Sequence, residues 1–407
     1  MDALTTPSNW QKVRLGDILE LLTDYHANGS YELLKNNVTL LKHVDFAIMI
    51  RTTNFENNDF KNDLIYINKK AYEFLSKSKV FAGDILVNKI ANAGTAYFMP
   101  KLNQPVSLGM NLFLLRIKPN YNNFFIFKQI ANYERVLKTF ANGSATKTIT
   151  KNVIKNLLIP LPPLNEQIAI ANILSDVDRY LYSLRALILK KEGVKKALSF
   201  ELLSQRKRLK GFNQNWQKVK VKDFGIIITG STPLTQISEY WNGTISWITP
   251  TDINDNKDIF NSERKITQKG LDTIRMIPKN SVLVTCIASI GKNAILRVNG
   301  ACNQQINAII PNKDFNADFV YYLMENNKQY LLGKAGVTAT YIISKQVFEE
   351  IDFFVPKDLN EQIAIANILS ALDSEIISLK NKKRQFENIK KALNHDLMSA
   401  KIRVLNK

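Results

Sequence analysis

The stretch that decides the architecture is LNEQIAIANILS, which occupies Leu164–Ser175 and returns unchanged at Leu359–Ser370. An identical run of this length does not arise twice by chance in one chain, so the sequence contains an internal duplication. A second echo, NWQKV, begins at Asn9 and again at Asn215, each time just ahead of a globular-looking region. The order along the chain is therefore module, helix, module, helix.

The duplication divides the 407 residues into four predicted parts, and a chain of this length can hold two or three domains with cores of their own. They are a first module (1–161), a central helix (162–211), a second module (212–356) and a C-terminal helix (357–407). Both modules mix β-rich runs, turn signals and helical patterns, which indicates an α+β fold. The predicted strands are Asp84–Ile90, Asn111–Ile117, Gly225–Thr229, Ser281–Ile287 and Gln305–Ile310, and the predicted module helices are Phe124–Phe140 and Asp318–Leu332.

The segments that follow each copy of the repeat are predicted to be long helices. From Asn165 to about Lys210 there is no proline, and Gly193 is the one interior glycine. Apolar residues recur at steps of three and four, as in a coiled-coil seam, although charged residues interrupt it in places. The predicted seam residues are Ile170, Ile173, Val177, Tyr180, Leu184, Leu187, Val194 and Leu198, then Ile365, Ile368, Leu372, Leu379, Phe386, Ile389 and Leu393.

Apolar faces of this length need each other, or a partner, to cover them. We therefore predict that the two helices pair side by side in opposite directions and carry the two modules at opposite ends. Such a pseudo-two-fold arrangement suits two DNA half-sites that are read in opposite directions.

The charge balance is strongly basic, with 55 Lys plus Arg against 36 Asp plus Glu and a net charge of +19. This surplus indicates a polyanionic partner, because each neutralised phosphate releases a counterion, although a basic charge can also serve solubility alone. The only cysteines, Cys286 and Cys302, predict neither a disulfide framework nor a thiolate metal cluster. A polar N-terminus and the lack of a continuous apolar run predict a cytoplasmic chain without a signal peptide or membrane span.

Motifs for catalysis are missing from the sequence. An adenine methyltransferase would carry Asn-Pro-Pro followed by an aromatic residue, whereas the one Pro-Pro pair, Pro162–Pro163, follows Leu161. Neither Gly-Lys pair has the preceding glycine that a Walker A loop requires, and the three histidines are widely scattered. We therefore expect no catalytic residue, bound metal or cofactor in this chain.

Candidate DNA contacts are polar residues on loops, where donors and acceptors can reach bases and glycine lets the backbone approach phosphate. Lys89 and Asn92 correspond through the repeat to Cys286 and Ser289. Gly-Ser-Thr clusters are more often ordinary loops, so their position in the repeat and the net charge are what favour contact. The candidates are Lys89, Asn92, Asn142, Gly143, Ser144, Thr146, Lys147 and Thr148, then Ser231, Thr232, Ser289, Lys292, Gly336, Thr338, Thr340 and Tyr341.

Two further groups are open to both a structural and a functional interpretation. Trp241 and Trp247 are expected to be core anchors rather than platforms for base stacking. The basic runs Arg206–Arg208 and Lys382–Arg384 are expected on solvated faces of the long helices, with phosphate contact as the alternative.

At the junctions IPLPPLNEQIAIANIL and VPKDLNEQIAIANIL, the sequence resembles the specificity subunit of type I restriction–modification systems. The resemblance covers essentially the whole chain. In the second module, TGSTPLT (Thr229–Thr235), EYWNGTISWITPTDI (Glu239–Ile253) and ACNQQINAII (Ala301–Ile310) are similar to that family's target-recognition domain. The first module departs from the pattern, with DYHANGSYE at Asp24–Glu32, so a shared base preference is not implied.

The resemblance implies that each module reads one half of a split, asymmetric DNA sequence and that the helices act as a spacer. It also implies two adenine methyltransferase subunits that bring S-adenosylmethionine and restriction subunits that use ATP. The partner contacts would lie at the helix starts, on Asn165, Glu166, Gln167, Asn360, Glu361 and Gln362. A structural rod protein and a stand-alone DNA-binding regulator are the alternatives, and the repeated junction favours the first interpretation.

Overall fold

The computed structural model describes residues 9–141, 147–254, 256–337 and 340–404. The chain forms two compact units, Met1–Ser183 with Arg384–Lys407, and Leu184–Lys383. Each unit holds one module of mixed helices and strands together with a segment of each long helix. The expected α+β class is therefore confirmed for both modules.

The first unit is built on two four-stranded sheets. One sheet has the strand order β2-β9-β6-β7 and is antiparallel, and the other has the order β4-β3-β8-β5 with β3 and β8 parallel. The strands are β1 (Gln11–Arg14), β2 (Leu19–Asp24), β3 (Ala47–Ile50), β4 (Tyr66–Ile67), β5 (Lys79–Val80), β6 (Ile85–Asn88), β7 (Ala96–Phe98), β8 (Val106–Leu108), β9 (Leu112–Ile117) and β10 (Leu158–Leu161). The helices are α1 (Tyr31–Asn37), α2 (Thr52–Glu56), α3 (Lys69–Phe74), α4 (Asn123–Asn132), α5 (Glu134–Thr139) and α6 (Lys151–Lys155), followed by the first long helix, α7 (Leu164–Leu203).

The second unit has a five-stranded sheet of order β12-β19-β16-β17-β14 and a three-stranded sheet of order β15-β13-β18. The strands are β11 (Trp216–Lys220), β12 (Gly225–Thr229), β13 (Trp241–Ile248), β14 (Asp258–Ile259), β15 (Lys265–Ile266), β16 (Ser281–Thr285), β17 (Asn293–Leu296), β18 (Gly300–Cys302), β19 (Ile306–Pro311), β20 (Gly336–Val337), β21 (Tyr341–Ile342) and β22 (Asp352–Pro356). The helices are α8 (Gln268–Leu271), α9 (Ala317–Asn326), α10 (Lys328–Leu332), α11 (Lys345–Glu350) and the second long helix, α12 (Leu359–Met398).

The predicted strands are found at β6, β9, β12, β16 and β19, with ends that differ by at most two residues. Each predicted module helix is instead two helices. The first breaks at Tyr133, where the backbone leaves helical geometry with φ −90° and ψ 8°, and the second breaks at Asn327. Because equivalent positions break in both modules, the kink belongs to the duplicated frame. Asn122 and Asn316 cap the starts of α4 and α9 by accepting hydrogen bonds from Phe125 N and Phe319 N.

The repeated NWQKV motif closes each module. It forms β1 in the first unit, which pairs antiparallel with β10, and β11 in the second, which pairs with β22. β10 leads directly into α7, and β22 leads directly into α12. Within each unit, the NWQKV strand therefore lies close to the LNEQIAIANILS motif that starts the long helix, although the two are far apart in sequence. The first and last strands of each module therefore lie next to the N-terminal end of a long helix.

Within each unit, the two long-helix segments run in opposite directions. In the first unit, the ring centroids of Tyr180 and Phe386 lie 4.5 Å apart, and the Asp178 carboxylate accepts from Lys390. In the second unit, Lys191 binds Glu375 at 2.8 Å, and Lys195, one turn further along α7, binds Asp373. The start of one long helix thus lies beside the end of the other in both units.

The buried row of α7 agrees with the predicted seam at Ile170 and Leu184 and differs from it elsewhere. Leu181 and Ile188 are buried, whereas the predicted Leu187 and Val194 are exposed. Neighbouring positions such as Leu187 and Ile188 are both apolar, so three-four spacing alone permits either row. The helix also ends at Leu203, and the basic run Arg206–Arg208, expected on the helix, lies in the loop that follows.

By length and composition alone, α12 contains one window apolar enough to cross a membrane, with a mean hydropathy of 1.3. In the same helix, Ile365, Ala366 and Leu369 belong to the buried core of the second unit. A core helix meets the same test of length and composition, so this window is weak evidence for a span.

Candidate nucleic-acid interface

In the second unit, predicted contact residues gather at one edge of the five-stranded sheet. Strands β12 and β16 end at this edge, and β19, which is antiparallel to both, begins there. The loop after β12 is bound to the loop before β19, because Ser231 N donates to Cys302 O at 2.8 Å and Thr232 Oγ1 donates to Gln304 Oε1 at 2.6 Å. Ser231 and Thr232 are therefore held at the sheet edge.

The turn after β16 brings the other candidates to the same edge. Ala288 N, in this turn, donates to Tyr341 O at 3.0 Å, and Ile287 forms a β-bridge with Ile342. Thr340 and Tyr341 are exposed beside the turn that carries Ser289, which is half-buried. Lys292 closes the turn, with its carbonyl accepting from Thr285 N, and its side chain is exposed. Gly336 lies opposite Ile342 in the β20–β21 pair.

The first unit repeats this frame. Strands β2 and β6 end, and β9 begins, at the equivalent edge. Lys89 O accepts from Ile149 N at 3.1 Å and Ile90 forms a β-bridge with Thr148, so Thr148 lies beside the turn that contains Asn92. Asn92 and Lys147 are exposed. The candidates Asn142, Gly143, Ser144 and Thr146 in this unit, and Thr338 in the other, lie outside the described residues.

The turns after β6 and β16 share an unusual backbone. Ala91 and Ala288 have φ values of 64° and 62°, in the left-handed region that non-glycine residues rarely adopt. Gly94 and Gly291 follow with φ values of 91° and 81°, and a Cβ on Gly94 would meet the Leu137 Cβ at 2.7 Å. A strained conformation of this kind persists only where the surrounding structure enforces it. The two turns are therefore rigid supports for the side chains on them.

Lys89 is a correction to the predicted contact set. Its side chain is buried, with Nζ 3.5 Å from Asp24 Oδ2, while Lys151 binds the other oxygen of Asp24 at 3.2 Å. Burial lowers the pKa of Lys89 more than the carboxylate of Asp24 raises it. For Asp24, burial acts to raise the pKa, but the hydrogen bonds and charges of the two lysines outweigh it, so the pKa is lowered. Lys89 thus pairs with the half-buried carboxylate of Asp24 at the end of β2 instead of facing solvent.

Cys286, the equivalent of Lys89, is also internal. Its Sγ accepts a hydrogen bond from Asn307 Nδ2 at 3.2 Å, and burial raises the pKa of the thiol to about 12. The difference between lysine and cysteine at this position is therefore a difference in core packing, and it does not indicate different DNA targets. The exposed groups that differ between the edges are Asn92 and Lys147 in one unit, and Thr340, Tyr341 and Lys292 in the other.

The repeated Asn-Glu-Gln motif also requires a correction. Glu166 is buried and binds Arg403, with Nε to Oε1 at 2.9 Å. Glu361 is buried and binds Arg208 at 2.9 Å, and it accepts from Trp216 Nε1 at 3.2 Å. These carboxylates join the start of one long helix to the chain just beyond the end of the other, so they are not available as partner contacts.

The glutamines of the motif join each long helix to its module. Gln167 accepts from Asn122 N at 2.9 Å and donates to Pro162 O at 2.8 Å. Gln362 makes the equivalent pair, accepting from Asn316 N at 3.0 Å and donating to Pro356 O at 3.1 Å. Both side chains are buried, so the prediction of Gln167 and Gln362 as partner contacts is also wrong. Asn165 and Asn360 are exposed, and for them the prediction stands untested.

Trp241 and Trp247 have a structural role, as expected. They also hold the loop from Ser231 to Leu234, which the sequence did not show. Trp247 is buried, and its Nε1 donates to Ser231 O at 2.9 Å. Trp241 Nε1 donates to Leu234 O at 3.2 Å. The pair therefore fixes both ends of the loop that carries Ser231 and Thr232. The sequence also did not identify Gln304 as a residue of this edge. Gln304 accepts from Thr232 and lies within the quoted ACNQQ motif.

Comparison with known proteins agrees with this architecture. The profile of the type I restriction modification DNA specificity domain matches twice, at residues 7–191 and 213–388. A putative type I restriction enzyme MjaX specificity subunit from Methanocaldococcus jannaschii is 27% identical over 97% of this chain and 97% of its own length. The MjaIX specificity subunit from the same organism is 35% identical, over 44% of this chain and 42% of its own.

Solved structures show the same fold. The type I restriction–modification S subunit from M. genitalium superposes with a TM-score of 0.61 at 16% identity, covering 97% of each chain. The HsdS subunit from Thermoanaerobacter tengcongensis gives a TM-score of 0.50 at 17% identity, covering 98% of this chain and 99% of its own. The chain belongs to the type I restriction–modification DNA specificity family, and it carries two copies of the family's domain.

Proposed function

We propose that this chain recognises a bipartite, asymmetric DNA target, with one half read at the sheet edge of each unit. The observation that carries the proposal is the duplicated edge, in which the same strained turn and the same adjoining strands support different exposed side chains. A shared frame with different donors is what two readers of different base sequences require. The net charge of +19 supplies attraction to phosphate that does not depend on sequence.

We further propose that the chain is the non-catalytic targeting subunit of a larger cytoplasmic complex. Two adenine methyltransferase subunits would bring S-adenosylmethionine, and restriction subunits would use ATP. The paired long helices would serve as an antiparallel coiled-coil spacer between modules that correspond to residues 1–161 and 212–356. Exposed apolar side chains on these helices are candidate contacts for such partners, with Tyr182 and Ile389 in the first unit and Leu189 and Ile377 in the second.

The test is to map methylated adenines after the chain is expressed together with the methyltransferase subunit of its own restriction–modification system. The host should lack adenine methylation of its own, and genomic DNA is read by single-molecule sequencing. We expect one two-part sequence with a fixed gap and one methylated adenine on each strand. The control is the methyltransferase alone, which should leave the genome unmodified.

Methylation at a single uninterrupted site, or at the same sequence without this chain, would contradict the proposal. Failure of the two proteins to copurify would favour a stand-alone DNA-binding protein instead.

A further inference from the structure

An exposed arginine lies over two tryptophan rings next to the edge of the five-stranded sheet at which β12 and β16 end and β19 begins. The guanidinium carbon of Arg264 lies 4.1 Å from the Trp241 ring centroid and 4.8 Å from that of Trp247. The two indoles are nearly perpendicular, with centroids 5.1 Å apart and an interplanar angle of 88°. Arg264 itself is exposed, whereas Trp247 is buried. The rings therefore orient a cation that remains open to solvent.

The backbone around Arg264 is also fixed. Its carbonyl accepts from Trp247 N at 3.3 Å, which attaches the residue to β13 just before β15 begins. Among the residues that the structure describes, no carboxylate forms an ion pair with its guanidinium. A cation–π contact uses none of the N–H donors of a guanidinium as hydrogen bonds to another side chain, and a planar fork of this kind matches two acceptors on one base edge.

Hydrogen bonds connect this cluster to the sheet edge. The indole N–H of Trp247 donates to the Ser231 carbonyl, and that of Trp241 donates to the Leu234 carbonyl. Thr232, which lies between Ser231 and Leu234 in sequence, donates to Gln304 in the loop just before β19. The cation, the loop and the sheet edge thus form one continuous surface within the second unit.

We infer that Arg264 reads a guanine in the half of the target that the second unit recognises, through paired hydrogen bonds to the guanine O6 and N7. Trp241 and Trp247 are positioning residues that hold both the guanidinium and the loop from Ser231 to Leu234. This inference rests on the proposed function and adds to it a residue, a base and a half-site. A contact with phosphate would instead be insensitive to sequence.

The experiment compares the methylated sequence made by the complex with the unaltered chain and with Arg264→Ala, Arg264→Lys and Lys313→Ala. Lys313 is the matched control, because it is an exposed cation of the same module beyond the opposite end of β19. Loss of one bidentate arginine–guanine pair should reduce discrimination at one position by roughly 5- to 150-fold. We expect Arg264→Ala to relax one guanine in one half-site and Arg264→Lys to relax the same position less.

Relaxation at that position with Arg264→Ala, and an unchanged sequence with Lys313→Ala, would support the inference. An unchanged sequence with Arg264→Ala would overturn it, as would an equal fall in methylation at all sites. If Arg264→Ala does not assemble, the charge-retaining Arg264→Lys variant decides, since a phosphate contact would leave its base preference unaltered. An unaltered chain that directs methylation to no defined sequence would contradict the proposed function, a result distinct from any of these.

Discussion

At the scale of single residues, two buried carboxylates explain why the Asn-Glu-Gln motif occurs twice. Glu166 binds Arg403 and Glu361 binds Arg208, so each long helix begins at a carboxylate that meets an arginine from beyond the end of the other. A buried carboxylate that loses its partner is costly, because desolvation is no longer offset by charge pairing. The motif is therefore a device for joining helix ends, and its repetition follows from the need for two joints.

The prediction at this scale concerns Glu361→Ala. Removing this carboxylate leaves the buried Trp216 Nε1 without its acceptor and takes one acceptor from the partly exposed Arg208, and we expect a loss of about 1–3 kcal/mol from the stability of the second unit. Urea unfolding followed by tryptophan fluorescence measures it, because Trp216, Trp241 and Trp247 all lie in this unit.

The control is Glu239→Ala, which removes an exposed ion pair with Lys269 and should leave the unfolding curve unchanged. An equal effect of both substitutions would mean that the Glu361 joint contributes no special stability.

At the scale of elements, the paired helix segments use different chemistry at equivalent places. In the first unit, Tyr180 and Phe386 form an aromatic contact, whereas in the second unit, Lys191 and Glu375 form an ion pair. In the first unit, burial acts to raise the pKa of Asp178, but the hydrogen bonds and charges of Lys390 and Lys128 outweigh it and lower that pKa. Lys128 lies on α4, so this carboxylate joins both long helices to the module. Within the first unit, Asp178 thus connects α7 to both α12 and α4.

The prediction at this scale is an insertion of four residues in both long helices, between Ser183 and Leu184 and between Lys383 and Arg384. These are the points where the two units divide. Four helical residues add about 6 Å, which is nearly two base pairs of DNA. If the helices are the spacer, the mapped target should keep both half-sequences and widen its gap by one or two base pairs.

The half-sequences serve as the internal control for folding of the modules. A target with the original gap would show that the helices do not set the distance between the half-sites.

At the scale of the whole molecule, the chain is two versions of one plan. Each unit contains a strand from the repeated NWQKV motif, a sheet edge with a strained turn, and a pair of helix segments joined by Glu–Arg contacts. Because each unit has a core of its own, substitutions at one edge should leave the other edge intact.

The prediction at this scale is a module exchange. Replacing residues 212–356 with the corresponding module of a relative should change one half of the methylated sequence and preserve the other. The exchange keeps Glu361 and Arg208, so the joint between the helices is retained. Mapping methylated adenines measures the result, and a change in both halves would show that the modules do not read independently.

By itself, the sequence determined the duplication, the α+β class, the two long helices and the family, because identical repeats, three-four spacing and turn residues are local signals. It also singled out Ser231, Thr232 and Ser289, which the structure brings to one edge of the five-stranded sheet. Only the tertiary structure decided that Lys89, Glu166 and Glu361 are internal and that Arg264 lies on two indoles. The burial of a polar side chain depends on partners that are distant in the chain, such as Asp24 for Lys89 and Arg403 for Glu166, and no local pattern encodes which of them meet.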